Sequence, residues 1–310
     1  MPMMPRAVRA ALCASALILL HQPSALAWGH EGHRVIARIA ARNLSAAARQ
    51  KVAAILGVTD AGLEDALASA ATWPDEIDKS ATQTDGWHFI NVPIAKRFSI
   101  NGLCVAHNCV IDQIAAMQTR LASNATGFAL PVAPVPDRPM TSQELAFLVH
   151  FVGDVHQPLH SATDGDRGGN CVPLTSPLAH PDGTSTTELH AVWDTDVVLA
   201  VFATLGDETA TASALYQRFQ NGSAAVTQGT PTDWAHEAYT IAKSAVYHAL
   251  HIPNRSAPDD QCAPGIAPVT VTPTYIRARA ATVERQLLRA GIRLSNVLNQ
   301  ICVNGCAATP

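Results

Sequence analysis

The chain has 310 residues, 48% of them apolar, enough to bury a substantial core. Its 21 basic and 25 acidic residues leave a formal charge of −4. With no basic run, it lacks the electrostatic footprint of a protein that grips long duplex nucleic acid by its phosphates. Residues 1–27 read as an export signal: Arg6 and Arg9 precede an apolar run over 10–20, and Ala25-Leu26-Ala27 is a small-x-small cleavage site. The run is too short to span a bilayer, and His21-Gln22-Pro23 ends it. Cleavage after Ala27 makes Trp28 the first residue of a secreted or periplasmic protein. It also removes Cys13, leaving six of the seven cysteines. In an exported chain an even set suggests disulfides, although six cysteines allow fifteen connectivities. Cys104 with Cys109 and Cys302 with Cys306 are close enough for local staples, and Cys171 with Cys262 would pair by elimination.

Helical patterns dominate the rest. Residues 33–41 are amphipathic, with Val35, Ile36, Ile39 and Ala40 on one side. Ser45 N-caps a second helix, which Gly57 ends. Residues 108–121 form another. Thr141-Ser142-Gln143-Glu144 has capping-box order, so a helix runs from Ser142 through Asp154. Residues 188–202, 233–250 and 273–300 are helical. Residues 125–139, 161–185 and 253–273, rich in Pro or Gly, read as loops. The expectation is a single all-α domain over 28–310, with an irregular hairpin within 89–110.

Five histidines and three aspartates recur through this frame: His33, Asp75, His88, His150, Asp154, His160, His190 and Asp194. Imidazole and carboxylate without thiolate is the ligand chemistry of hydrolytic zinc. His150 and Asp154 are four apart on one helix face, about 5–6 Å between Cβ atoms, and His190 and Asp194 repeat that spacing. Pro158 turns the chain before His160. Taken singly these residues have ordinary explanations. A His-x3-Asp pair is commonly solvated, Asp75 after Trp73-Pro74 reads as a helix-start cap, and His88 between Trp87 and Phe89 reads as a core histidine. Two such pairs inside apolar helices are harder to place at a surface.

Three motifs are more specific: Trp28-Gly-x-x-Gly-His33, Gly153-Asp154-x-His156-Gln-Pro-Leu-His160 followed by Gly168-Gly169-Asn170, and His190-x-x-Trp-Asp194. They resemble the zinc-dependent, single-strand-specific type I nucleases, relatives of bacterial zinc phospholipase C, over essentially the whole mature chain. The resemblance implies a mainly helical fold holding three Zn2+ ions. One would be held by Asp75, His88, His150 and Asp154. A second would take the α-amine and carbonyl of Trp28 with His33 and the other oxygen of Asp154. The third would take His160, His190 and Asp194. Asp75 and Asp154 would be the catalytic carboxylates, in attack of an activated water on phosphorus. Substrates would be single-stranded nucleic acid and 3′-mononucleotides, handled by a monomer. Phe89 matches the family's base-stacking position, where the alternative is a core phenylalanine. Asn91 falls where some relatives carry Asp, and Asn170 lines the same site. Many relatives place Lys or Arg three residues after the aspartate at the Asp75 position. Here Asp78 stands there, and Lys79 either takes the role of steadying phosphate or is an ordinary surface lysine. Two other readings use the same residues: a phospholipase C, and a non-catalytic zinc-binding protein. Asp194, where the phospholipase branch has Glu, weighs against the first, and the lack of a His-rich tract against the second.

Overall fold

A computed structural model describes residues 28–123, 140–222, 227–255 and 262–304. The signal at 1–27, the loop at 125–139 and Cys306 lie outside the described residues. The first three helices are α1 (His30–Arg42), α2 (Ala46–Leu56) and α3 (Leu63–Glu76), followed by a short α4 (Lys79–Thr82). Then come α5 (Val110–Ser123), α6 (Met140–Asp154) and α7 (Leu189–Ala191). A π-helical stretch (Val192–Asp196) joins α7 to α8 (Val197–Leu205). After α9 (Glu208–Gln220) and α10 (Pro231–Ile241), the long α11 (Pro273–Asn304) is the last element among the described residues.

Local chemistry sets many of these boundaries. The Ser45 side chain accepts the Ala48 N–H, and Gly57 ends α2 in the left-handed region at φ 68°. Thr230 and Asp233 form a reciprocal capping box on α10. α6 is buried all round, every residue from Leu145 to Val152 included, as in a core helix. It packs against α3, α5 and α11, while α1 packs against α3, α9 and α11. Any polar side chain near the end of α6 is therefore inside the molecule.

Four expectations are corrected. Thr141 lies inside α6 rather than capping it, and Glu144 accepts a hydrogen bond from Arg120 Nε at 2.7 Å. Asp75 is in the last turn of α3, not at a helix start. No hairpin forms in 89–110. Instead β1 (Val92–Pro93) pairs in parallel with β2 (Ala162–Thr163). The hairpin is β3 (Pro173–Ala179) against β4 (Ser185–Glu188), within the stretch expected to be loop. Disulfides join Cys104 to Cys109 and Cys171 to Cys262, and Cys302 is also disulfide-bonded. Among the described residues no single helix is long and apolar enough to cross a membrane.

Candidate metal centre

The eight imidazole and carboxylate side chains converge in the interior from α1, α3, α6, the short turns that carry His88 and His160, and the segment of α7 and the π-helical stretch that carries His190 and Asp194. On one side, His88 Nδ1 lies 3.0 Å from both His150 Nε2 and Asp154 Oδ2. Asp75 Oδ1 stands 3.5 Å from His150 Nε2 and 3.8 Å from His88 Nδ1. The other oxygen of Asp154, Oδ1, faces His33 Nε2 at 3.2 Å. The His33 and His150 rings stack with centroids 4.0 Å apart. On the other side, His160 Nε2 and His190 Nε2 are 3.1 Å apart, with Asp194 Oδ2 3.3 Å from His190 Nε2. All eight side chains are almost fully buried.

The tautomers follow from the backbone. His150 Nδ1 lies 2.7 Å from the Ala71 carbonyl, His160 Nδ1 2.6 Å from that of His88, and His190 Nδ1 2.7 Å from that of Gly168. A carbonyl can only accept, so each Nδ1 carries the hydrogen and each Nε2 turns a lone pair inward. His160 and His190 thus point two lone pairs at each other. Asp194 Oδ2, Asp154 Oδ1 and His33 Nε2 are buried without a hydrogen-bond partner. Such an arrangement is costly unless something electron-poor sits among the donors. Ligands about 2.0–2.1 Å from a tetrahedral zinc stand about 3.3 Å from one another, close to the observed spacings. The donor set therefore fits metal cations.

Burial also sets the protonation states. It holds His33, His88, His150 and His160 below the ordinary imidazole value, His88 and His160 well below, and brings His190 to about 4. Burial raises Asp154 to about 7, and pushes Asp194 well above the usual carboxylate range. Asp75 moves down instead: burial works against ionisation, but neighbouring His150 and Lys79 outweigh it.

Sequence motifs around the ligands have steric causes. A Cβ on Gly153 would come within 2.7 Å of His33 Nδ1, and one on Gly32 within 2.9 Å of Trp28 Cβ. Gly168, at φ 62°, leaves no room for a Cβ beside the Leu159 carbonyl. Trp28 is fully buried, and its indole Nε1 donates to the Gly153 carbonyl at 2.9 Å. The Gly29 N–H donates to the Asp194 carbonyl at 3.0 Å. The head of the described chain is thereby tied to α6 beside Asp154 and to the π-helical stretch at Asp194.

Lys79 is not a surface lysine. Its side chain is 10% exposed, and Nζ donates to Asp75 Oδ1 at 2.6 Å. Phe89 and Asn91 are half-buried beside His88, and the Ile90 N–H between them donates to the His160 carbonyl at 2.7 Å. Asn170, also half-buried, donates its amide to the Arg167 carbonyl at 2.7 Å.

Sequence reasoning missed Gln157. Fully buried, it donates from Nε2 to Asp194 Oδ1 at 2.6 Å and accepts from the Leu159 N–H. That contact leaves Asp194 Oδ2 as the oxygen facing the histidines. The Gln-Pro turn between two ligands was the available signal. His156 is another interior residue. Its Nδ1 donates to the Val152 carbonyl, and its Nε2 accepts from Arg293.

A family model described as S1/P1 Nuclease matches residues 28–303. The chain belongs to the S1/P1 nuclease family. Endonuclease 2 of Arabidopsis thaliana is 26% identical to it over 294 residues, covering 92% of this chain and 93% of the relative. Nuclease P1 of Penicillium citrinum is 27% identical over 297 residues, 88% of this chain and 97% of the relative. Nuclease S1 of Aspergillus oryzae is 30% identical over 176 residues, 55% and 54% of the two chains. As a member of the S1/P1 family the chain is a hydrolase of the nuclease kind, and all eight clustered ligand candidates fall within the matched span.

Proposed function

We propose that the chain is a zinc-dependent phosphodiesterase that cuts single-stranded DNA and RNA to 5′-phosphate products and removes the phosphate of 3′-mononucleotides. The two-sided use of Asp154 carries this reading: Oδ2 faces His88 and His150, while Oδ1 faces His33. Asp75, His88, His150 and Asp154 would hold one ion. His33, Asp154 and the backbone of Trp28 would hold a second, and His160, His190 and Asp194 a third. Bound zinc supplies positive charge for the phosphate and a water acidic enough to attack near neutral pH.

The chain's own groups do the rest. Asp75 commits Oδ1 to Lys79, and its Oδ2 is buried without a partner. Its depressed pKa keeps that oxygen ionised, so it can accept a hydrogen from the attacking water and aim it. The Lys79 ammonium beside it can turn to a phosphate oxygen. Phe89 offers a ring on which any base stacks, worth roughly 1–3 kcal/mol. Asn91 and Asn170 can donate to and accept from base edges.

The reading includes removal of residues 1–27, export to the periplasm or medium, and action as a monomer. Burial of Trp28 against Gly153, next to Asp154, supports a role for a freed α-amine there. The deciding experiment measures zinc content of the processed protein and assays single-stranded DNA, RNA, 3′-AMP and phosphatidylcholine, with and without chelator. Zinc with release of 5′-nucleotides and adenosine is expected. Diacylglycerol as the sole product would move the substrate to lipid, and zinc without any product would leave a binding protein.

A further inference from the structure

Most of the described arginines in this acidic chain face carboxylates, as in Arg42 with Glu64, Arg120 with Glu144 and Arg218 with Glu284. One surface gathers exposed cations and aromatic rings without such pairing. Lys96, Arg97 and Lys243 are exposed, and none has a carboxylate partner among the described residues. They gather around Tyr239. The Tyr239 hydroxyl donates to the Lys96 carbonyl at 2.6 Å, and Lys243 Nζ lies 5.3 Å from the Tyr239 ring centroid. Between them, Phe98 stacks on the exposed His236, with centroids 4.4 Å apart and planes at 21°. The ring edge of Phe98 also meets Tyr239 at 5.4 Å.

This surface is joined to the metal centre by one short, fastened segment. After His88, the Ile90 N–H bonds to the His160 carbonyl, β1 pairs with β2, and the Ile94 N–H bonds to the Thr163 carbonyl at 2.9 Å. Lys96, Arg97 and Phe98 follow directly. Ten residues from His88 to Phe98 span at most about 35 Å, so the surface lies within that reach of the candidate metal centre.

We propose that Lys96, Arg97, His236 and Lys243 form a second, sequence-independent subsite for single-stranded nucleic acid, holding the strand that runs on from the metal centre. The inference rests on the nuclease reading above for its ligand class. A base would stack on the open face of His236, backed by Phe98, and the three cations would follow the phosphates, the two contacts that sequence-tolerant strand binders combine. Short substrates would not reach it.

The test uses zinc-loaded protein and a fluorescent phosphorothioate strand of about twenty nucleotides, long enough to span both places, read by anisotropy. Three variants are compared: Lys96→Ala/Arg97→Ala/Lys243→Ala, His236→Ala, and the charge control Arg277→Ala. Zinc content and thermal melting certify that each is folded and loaded. In the triple variant, affinity for the strand should fall about tenfold or more, and the slope of log K against log salt should drop by about 2. His236→Ala should weaken binding by about tenfold through lost stacking. KM for 3′-AMP should stay at the wild-type value in both, and Arg277→Ala should change neither. Unaltered strand affinity, or equal losses for strand and mononucleotide, overturns the proposal. If the wild type hydrolyses no nucleotide but strand binding still falls in the variants, the nuclease reading fails and the subsite stands.

Discussion

Asp154 is the residue on which two nitrogen sets depend. Asp154→Asn keeps its shape but weakens both contacts, so zinc content should fall at both places and hydrolysis should approach background. Elemental analysis and a 3′-AMP assay would show it; normal zinc in that variant would sink the shared-ligand account. Gln157→Leu frees Asp194 to rotate. Its effect should be confined to the His160–His190–Asp194 set, with metal affinity there about 10–100-fold weaker, read by graded chelation while the remaining zinc stays bound. The pH dependence has a definite sign. Without metal, Asp154 titrates at about 7 against an ordinary 3.8, and His190 at about 4 against 6.5. The raised carboxyl costs the metal-free fold stability as pH rises from 3.8 towards 7. The depressed imidazole costs it stability as pH falls from 6.5 towards 4. Zinc needs both groups without protons, so its binding must weaken as pH drops below about 7 and must release protons at about pH 6. Calorimetry in two buffers of different ionisation heat measures that release; finding none would contradict the burial-driven shift.

Helices bring these residues together because small side chains let them approach. Gly153 on α6 admits the His33 ring of α1. Gly153→Ala should therefore cost about 1–3 kcal/mol of stability by overpacking and should displace His33, lowering both melting temperature and zinc content. The π-helical stretch Val192–Asp196 interrupts the helix that begins at α7, at the residues that carry Asp194. π-turns insert a residue into the helical ladder and are frequent at functional sites. Glu188 caps the start of α7 by accepting the Ala191 N–H at 3.1 Å, which steadies His190 two residues on. Further along the chain, the turn over Pro158–His160 reverses the backbone after α6, so that His160 faces His190 rather than His150.

At the scale of the whole molecule, the candidate metal centre is buried among helices far apart in sequence, and cations bound there should act as part of the core. Chelation should lower the melting temperature, and restored zinc should raise it with concentration, because binding to the native state alone shifts the folding equilibrium. A short Gly-Ser extension placed before Trp28 should lower zinc content at the His33 position and leave the fold intact. Equal zinc with and without the extension would remove the α-amine from the ligand set. The disulfide between Cys171 and Cys262 ties the segment just before the β3–β4 hairpin to the lead-in of α11 across 91 residues.

Much of the site was legible before any fold was known, because ligand chemistry demands particular side chains at helical spacing. His150 and Asp154 are such a pair, and so are His190 and Asp194. The N-cap at Ser45 and the stop at Gly57 were legible for the same local reason. The α3 helix was hidden by Pro74 near its end, so Asp75 looked like a helix start. The β3–β4 hairpin was hidden because its residues alternate weakly and lie among turn formers. Gln157 could not be placed at all, since its role depends on Asp194 across the fold; Lys79 meets Asp75 only four residues back, but the break between α3 and α4 hid that local pair. Sequence by itself determined which groups could bind metal and which short segments would coil. Tertiary structure alone decided which oxygen meets which nitrogen and which lone pairs are stranded indoors, because those distances arise from packing between segments that no local rule connects.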